Sequence, residues 1–253
     1  MGKLTDRYEN QNLVDLAKQQ YDTKQQNTIP AEIVSLTSEG KIYPKSSSLS
    51  SGKIEMRYMT AYDEDILTNA SYLKEGVVLD KLVQELIVSD VNYNEIAQVD
   101  KDGLILSARI LSYGAQYPVT VLDPKTKKEL SRTVDLSKLQ TKTLEITPDT
   151  NGEFEYKVNK HTLKFKFPTN SEHKKSNTIS EFLKATITEV NGSRKQNNIE
   201  HFIQYEFLAI ESRKFQLYIA ENTPTILLEY EFEGDDGGTF TAGFPIGTDL
   251  FWF

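Results

Sequence analysis

This chain has no cysteine, three histidines and one tryptophan among its 253 residues. Without cysteine there is no disulfide framework and no thiolate metal site, and the redox compartment cannot be read. The histidines, His161, His173 and His201, show no HxH or HxxxH spacing. A helical zinc site is therefore not encoded locally. No apolar run approaches the ~18 residues of a membrane span. Positive charge is also in deficit, with a formal net charge of −8. Non-specific nucleic-acid binding, which needs a basic footprint, is a poor fit, and no direct nucleic-acid contact is expected. Nucleotide loops and the GxSxG nucleophile elbow are missing too. Carboxylates are plentiful enough that a distant acid–base pair stays open. The start, Met1 to Asp6, carries no apolar signal core, so synthesis and residence in the cytoplasm are expected.

The chain does carry tyrosine and phenylalanine, 13 and 12 residues, on a rather polar background. Rigid amphipathic rings with few catalytic residue types suit protein contact surfaces. Residues 1–29 read as a polar N-terminal arm with a weak stripe of Leu13, Leu16 and Ala17. That stripe is too small to repay the ordering entropy alone. A mainly helical region is expected over 30–115. Lys53–Met59 alternates as a strand, and Thr60 opens a helix whose first turn holds Asp63, Glu64 and Asp65. Val78, Leu79, Leu82, Val83, Leu86 and Ile87 mark an amphipathic helix. Another starts at Asp100 or Asp102, with those acids read as caps rather than cation ligands, and Gly114 stops it.

From 116 to 253 the pattern is β-rich with inserted helices. Tyr117–Leu122 and Glu129–Leu136 flank a turn at Asp123-Pro-Lys-Thr126. Strands are expected at Leu144–Thr147, Phe154–Val158 and Thr162–Phe167. A helical hairpin should follow, Ile179–Val190 and Ile199–Ile210. Strands then close the chain at Thr225–Phe232, Thr239–Phe244 and Leu250–Phe253. The class is α+β. Three aromatics at the end, Phe251, Trp252 and Phe253, are costly to expose, so they pack either into their own core or into a partner.

An ordered series of segments resembles a known family. It comprises Leu36-Thr-Ser-Glu-Gly-Lys-Ile-Tyr43, Arg57-Tyr-Met-Thr-Ala-Tyr-Asp-Glu64, Lys74-Glu-Gly76, and Asp100 with Leu104 leading to Arg109-Ile-Leu-Ser-Tyr-Gly-Ala-Gln-Tyr117. It resembles the baseplate hub subunits and hub assembly proteins of contractile-tailed, T4-like bacteriophages, strongly over 33–122 and less so beyond. In that family a zinc-ribbon-like β unit with paired Cys-Pro-x-Cys knuckles often follows. Here Asp123-Pro-Lys-Thr126 and Glu233-Gly-Asp-Asp236 stand at the knuckle positions. A Cys-less ribbon must hold by turns and packing, and no cofactor or metal is expected.

The resemblance implies a structural protein of the virion, not an enzyme. It would sit in the tail baseplate after assembly in the host cytoplasm. Its partners would be other hub and tail proteins in an oligomeric assembly. Alternatives are an assembly chaperone that stays out of the virion, and a cell-wall hydrolase of the hub. Contact residues to test are Arg57, Tyr58, Arg109, Tyr113, Tyr117 and Trp252. For Arg109 an internal role competes, because a charge in an apolar helix must be paired or exposed.

Overall fold

The computed structural model describes residues 29–252. The arm expected over 1–29 therefore lies outside the described residues, apart from Ile29, and so does Phe253. Strand β1 (Ala31–Ser35) pairs antiparallel with β2 (Lys53–Arg57), from Ala31–Arg57 to Ser35–Lys53. Three short helices follow: α1 (Ala61–Thr68), α2 (Ala70–Glu75) and α3 (Val78–Leu86). Their ends are written in the sequence. Thr60 and Asp63 form a capping box at the start of α1, and Asn69 caps α2 by accepting from the Ser71 and Tyr72 amides. Gly76 ends α2 at φ 68°, a left-handed conformation that glycine adopts without penalty. Helix α3 buries Val78, Leu82, Val83 and Leu86, the apolar side read from its spacing.

Helix α4 (Gln98–Tyr113) is the central element and ends at Gly114, as expected. It begins before Asp100, and Ala97 occupies the cap without a side-chain bond. Asp100 therefore does not cap the helix. The helix buries Leu104, Ile105, Leu106, Ala108 and Arg109.

Beyond α4 the chain is a set of small antiparallel sheets. Strands β3 (Gln116–Leu122) and β4 (Glu129–Asp135) form the expected hairpin. A two-residue β5 (Thr141–Lys142) pairs with β9 (Thr225–Ile226). Strands β6 (Phe154–Val158), β7 (His161–Phe165) and β8 (Ile187–Val190) make a three-stranded sheet, and β10 (Glu229–Glu233) pairs with β11 (Thr239–Gly243). Helices α5 (Asn170–Lys174), α6 (Ile179–Thr186), α7 (Gln196–His201) and α8 (Ala209–Asn222) fill the intervals. The mixed α+β class stands.

Several finer expectations are corrected. Leu144–Thr147 is irregular, because its alternation finds no partner edge. Of the strand expected over Leu250–Phe253, the described residues form none: a 3-10 turn over Thr248–Phe251 buries Leu250 and Phe251. The helical hairpin is interrupted twice. Helix α6 stops at Thr186, and β-branched Ile187 and Thr188 continue as β8, with Ile187 opposite Phe165. The second expected helix breaks: α7 passes into a π-turn at Phe202–Glu206, then Phe207 and Leu208 run extended into α8. Ring packing explains the break. Phe207 stacks on Phe202 at 4.9 Å and meets Phe215 at 6.0 Å, so the chain bends to bury an aromatic that a straight helix would displace.

Buried residues from Leu36 to Phe251 form one hydrophobic cluster. Its aromatic centre includes Phe154 and Phe165, 5.3 Å apart, with Phe215 edge-on to Phe165 at 5.3 Å. Among the described residues no helix is long and apolar enough to cross a membrane.

Candidate functional site

Three buried carboxylates and one buried guanidinium organise the motif segments. Arg57, at the end of β2, grips Asp63 of α1 with two bonds of 2.7 and 2.8 Å and reaches Glu85 at 3.3 Å. Asp63 also accepts from the Thr60 amide at 2.7 Å and the Thr60 hydroxyl at 2.9 Å. Burial alone would raise the Asp63 carboxyl; the bonds from Arg57 and Thr60 outweigh it and hold the group below its ordinary value. The next residue, Glu64, accepts from the Tyr113 hydroxyl at 2.7 Å. Burial and this bond push the Tyr113 phenol up to about 12. The two most specific sequence motifs are thereby joined.

Arg109 has no exposed surface. Its nitrogens donate to the carbonyls of Gly114, at 2.6 Å, Gln116, at 3.2 Å, and Leu250. Its guanidinium lies 5.3 Å from the Tyr113 ring and 5.9 Å from that of Tyr117. One side chain thus fastens the end of α4, the start of β3 and the C-terminal turn. Tyr117 packs on Phe244 at 6.0 Å and Tyr113 on Phe251 at 6.4 Å. Tyr58 donates to Glu32 of the paired strand. Of the six contact candidates, Arg57 and Arg109 bind within the chain. Tyr58, Tyr113 and Tyr117 are half-buried, and Trp252 is 43% exposed.

Two further anchors were not singled out as such from the sequence. Asp100 accepts from the Ser38 amide at 2.7 Å, the Ser38 hydroxyl at 2.9 Å and the Tyr43 hydroxyl at 2.6 Å. Tyr43 in turn accepts from the Ala97 amide. The loop of the first motif is pinned to α4 this way, and burial raises the Asp100 carboxyl despite these bonds. Asp80 of α3 gathers the Tyr93 hydroxyl, Lys101 and Lys174. Partners so far apart in sequence leave no local signal.

Exposed apolar side chains are spread over several elements, Ile33 and Tyr62 among them. At the break between the π-turn and α8, Tyr205, Leu208 and Ile210 are 69%, 60% and 63% exposed. Beside them Glu206 faces His201 at 3.2 Å and His161 at 3.9 Å. His161 is buried and His201 exposed, while His173 belongs to α5. Among the described residues no group of three or more histidine or acidic side chains is placed to hold a metal.

The geometry defines a scaffold: internal polar ties hold the frame, and exposed apolar side chains face outward. The family model for the T4 bacteriophage base plate protein matches residues 32–234, and the chain belongs to that family. Neither a curated protein nor a solved structure matches it. Its role is that of a structural protein of the phage tail baseplate.

Proposed function

We propose that this chain is a subunit of the baseplate hub and works by protein–protein contact in an oligomeric tail assembly, without direct nucleic-acid contact. What supports the reading is the bond from Tyr113 to Glu64. The residues that carry the hub resemblance meet in one frame, instead of being scattered over the surface. In this reading Arg57 and Arg109 hold the frame. Contact falls to Trp252, to the exposed edges of Tyr58, Tyr113 and Tyr117, and to the Tyr205–Leu208–Ile210 face, since exposed aromatic and aliphatic anchors are what partners bury.

The test is quantitative mass spectrometry of purified, salt-washed particles, with the tail tube subunit as reference. A fixed low copy number supports a hub subunit. Absence from particles, with the chain present in infected lysate, replaces it with an assembly factor. Clearing of cell-wall polymer in a gel by the purified chain would restore the hydrolase alternative.

A further inference from the structure

The two-stranded β1–β2 sheet is closed on one side only. Beyond β2, Ile87 bridges to Met56, and the Val88 amide donates to the Glu55 carbonyl at 2.9 Å. Beyond β1 no element is hydrogen-bonded among the described residues.

The register says which groups are left over. The Tyr58 amide donates to the Pro30 carbonyl at 2.9 Å, and the Leu36 amide to the Gly52 carbonyl at 2.8 Å. Bonded positions alternate along an antiparallel ladder, so the backbone groups of Glu32 and Val34 also turn toward β2. The amides and carbonyls of Ala31, Ile33 and Ser35 turn the other way, and among the described residues none of them has a partner. Ile33, in the middle, is 70% exposed.

Edge strands that stay unpaired are commonly blunted by proline, lysine or a bulge. Strand β1, Ala-Glu-Ile-Val-Ser, has none of these, and its register runs unbroken from Ala31 to Ser35. Its one charge, Glu32, is tied back by the hydroxyl of Tyr58, just past β2.

We propose that β1 pairs antiparallel with β1 of a second copy about a two-fold axis at Ile33, joining two small sheets into one of four strands. The strand's own sequence selects this partner and this register. Ile33 meets Ile33 of the second copy and Ala31 meets its Ser35, so every outward amide and carbonyl of both strands is used. Glu32 comes opposite Val34. An axis at Glu32 would set two carboxylates face to face, which is destabilising. An axis at Val34 would leave the Ala31 groups unmet. Past Ser35 the pairing carries Pro30 and Ile29 of the second copy toward a groove of about 380 Å³, lined in part by Leu36, Leu106, Ile110, Leu139 and Ile226. Five paired residues fall short of the about 1,000 Å² that a stable interface buries, so the dimer in solution is weak and concentration-dependent. The contact does not depend on the chain's place in the baseplate.

The absence of cysteine makes a clean test. In the full chain carrying Ile33→Cys, the paired Cα atoms would lie about 5.5 Å apart, within disulfide reach. In Ser35→Cys each thiol opposes Ala31 of the other copy, so the two Cα atoms are about 14 Å apart and out of reach. Under mild oxidation Ile33→Cys should give about tenfold more disulfide dimer than Ser35→Cys on a non-reducing gel. Ile33→Pro removes an amide that the β1–β2 pairing does not use, a loss an edge strand tolerates. It should keep the wild-type circular dichroism and lose the concentration-dependent dimer that the wild-type chain shows in sedimentation equilibrium. If it misfolds, the two cysteine variants decide alone. Trapping that is absent at position 33, or equal at 33 and 35, overturns the pairing. So does a wild-type chain that stays monomeric at every concentration, or a folded Ile33→Pro chain that dimerises as the wild type does. Each of these results would leave the β1 edge to a strand of another protein or to solvent.

Discussion

The hydroxyl of Tyr113, in the last turn of α4, donates to the carboxylate of Glu64, in the first turn of α1, across 49 residues of sequence. The bond is partly buried and made by groups that both lie within sequence motifs. Tyr113→Phe keeps the ring that packs on Phe251 and deletes only the donor. The expected loss is about 1 kcal/mol, or about 2–4 °C in Tm. Calorimetry checks it; an unchanged Tm would show that the bond carries no net stability.

Arg109 should be far less tolerant. Replacing it with Met strands the carbonyls of Gly114, Gln116 and Leu250 in a buried setting, at a cost of about 3–5 kcal/mol. Arg109→Lys should rescue little, because an ammonium cannot present a planar fork to three carbonyls at once. Trp252 is the only tryptophan, so its emission reports on the C-terminal turn directly. In a urea titration of Arg109→Met its red shift should precede the loss of helical circular dichroism, whereas in the wild-type chain the two should coincide.

Asp63 and Asp100 should leave opposite marks on the pH dependence of stability. The folded carboxyl of Asp63 lies below its unfolded value of about 3.9. Its contribution is present above about pH 4 and is lost as pH falls through the folded value. The folded carboxyl of Asp100 is raised, so its contribution is present below about pH 4 and declines as pH rises through the folded value. The deficit of Asp63→Asn relative to wild type should therefore grow between about pH 3 and about pH 7, and that of Asp100→Asn should shrink. Urea midpoints across this range decide the matter, and parallel curves would refute both assignments.

The face at the helix break offers a test of function separate from stability. Tyr205→Ser, Leu208→Ser and Ile210→Ser remove side chains that are mostly solvated, so each should change stability by no more than about 0.5 kcal/mol. If this face meets a neighbour in the baseplate, the triple variant should fold normally yet complement a deletion phage poorly. Normal plaque yield would move the contact elsewhere.

What the sequence reveals follows from how local each cause is. The Thr60–Asp63 box, the Gly76 and Gly114 stops and the apolar side of α3 all act within a turn or two, and they read correctly. The break at Phe207 is decided by ring packing against Phe202 and Phe215, and the strand fate of Ile187 by Phe165. The second cause lies 22 residues away, outside any window of a dozen; the first is only eight away, but a helical pattern does not say which ring turns inward. The same holds for the ties. Asp63 pairs six residues away with Arg57, but Asp100 meets Ser38 across 62 residues, so its local pattern reads as a helix cap. The exposed Tyr205–Leu208–Ile210 face follows from the same break and is equally hidden in the sequence.

The bond from Arg109 to the carbonyl of Leu250 spans 141 residues. At about 5–20 residues per second, a ribosome needs roughly 7–30 s between making one partner and making the other. Throughout that interval the motif helix exists without this acceptor for its buried charge. The frame thus waits for Leu250, and a product that stops short of it can have every motif residue and still lack the bond that closes them. Such a chain should present itself to the cell's proteases before it presents itself to an assembling tail.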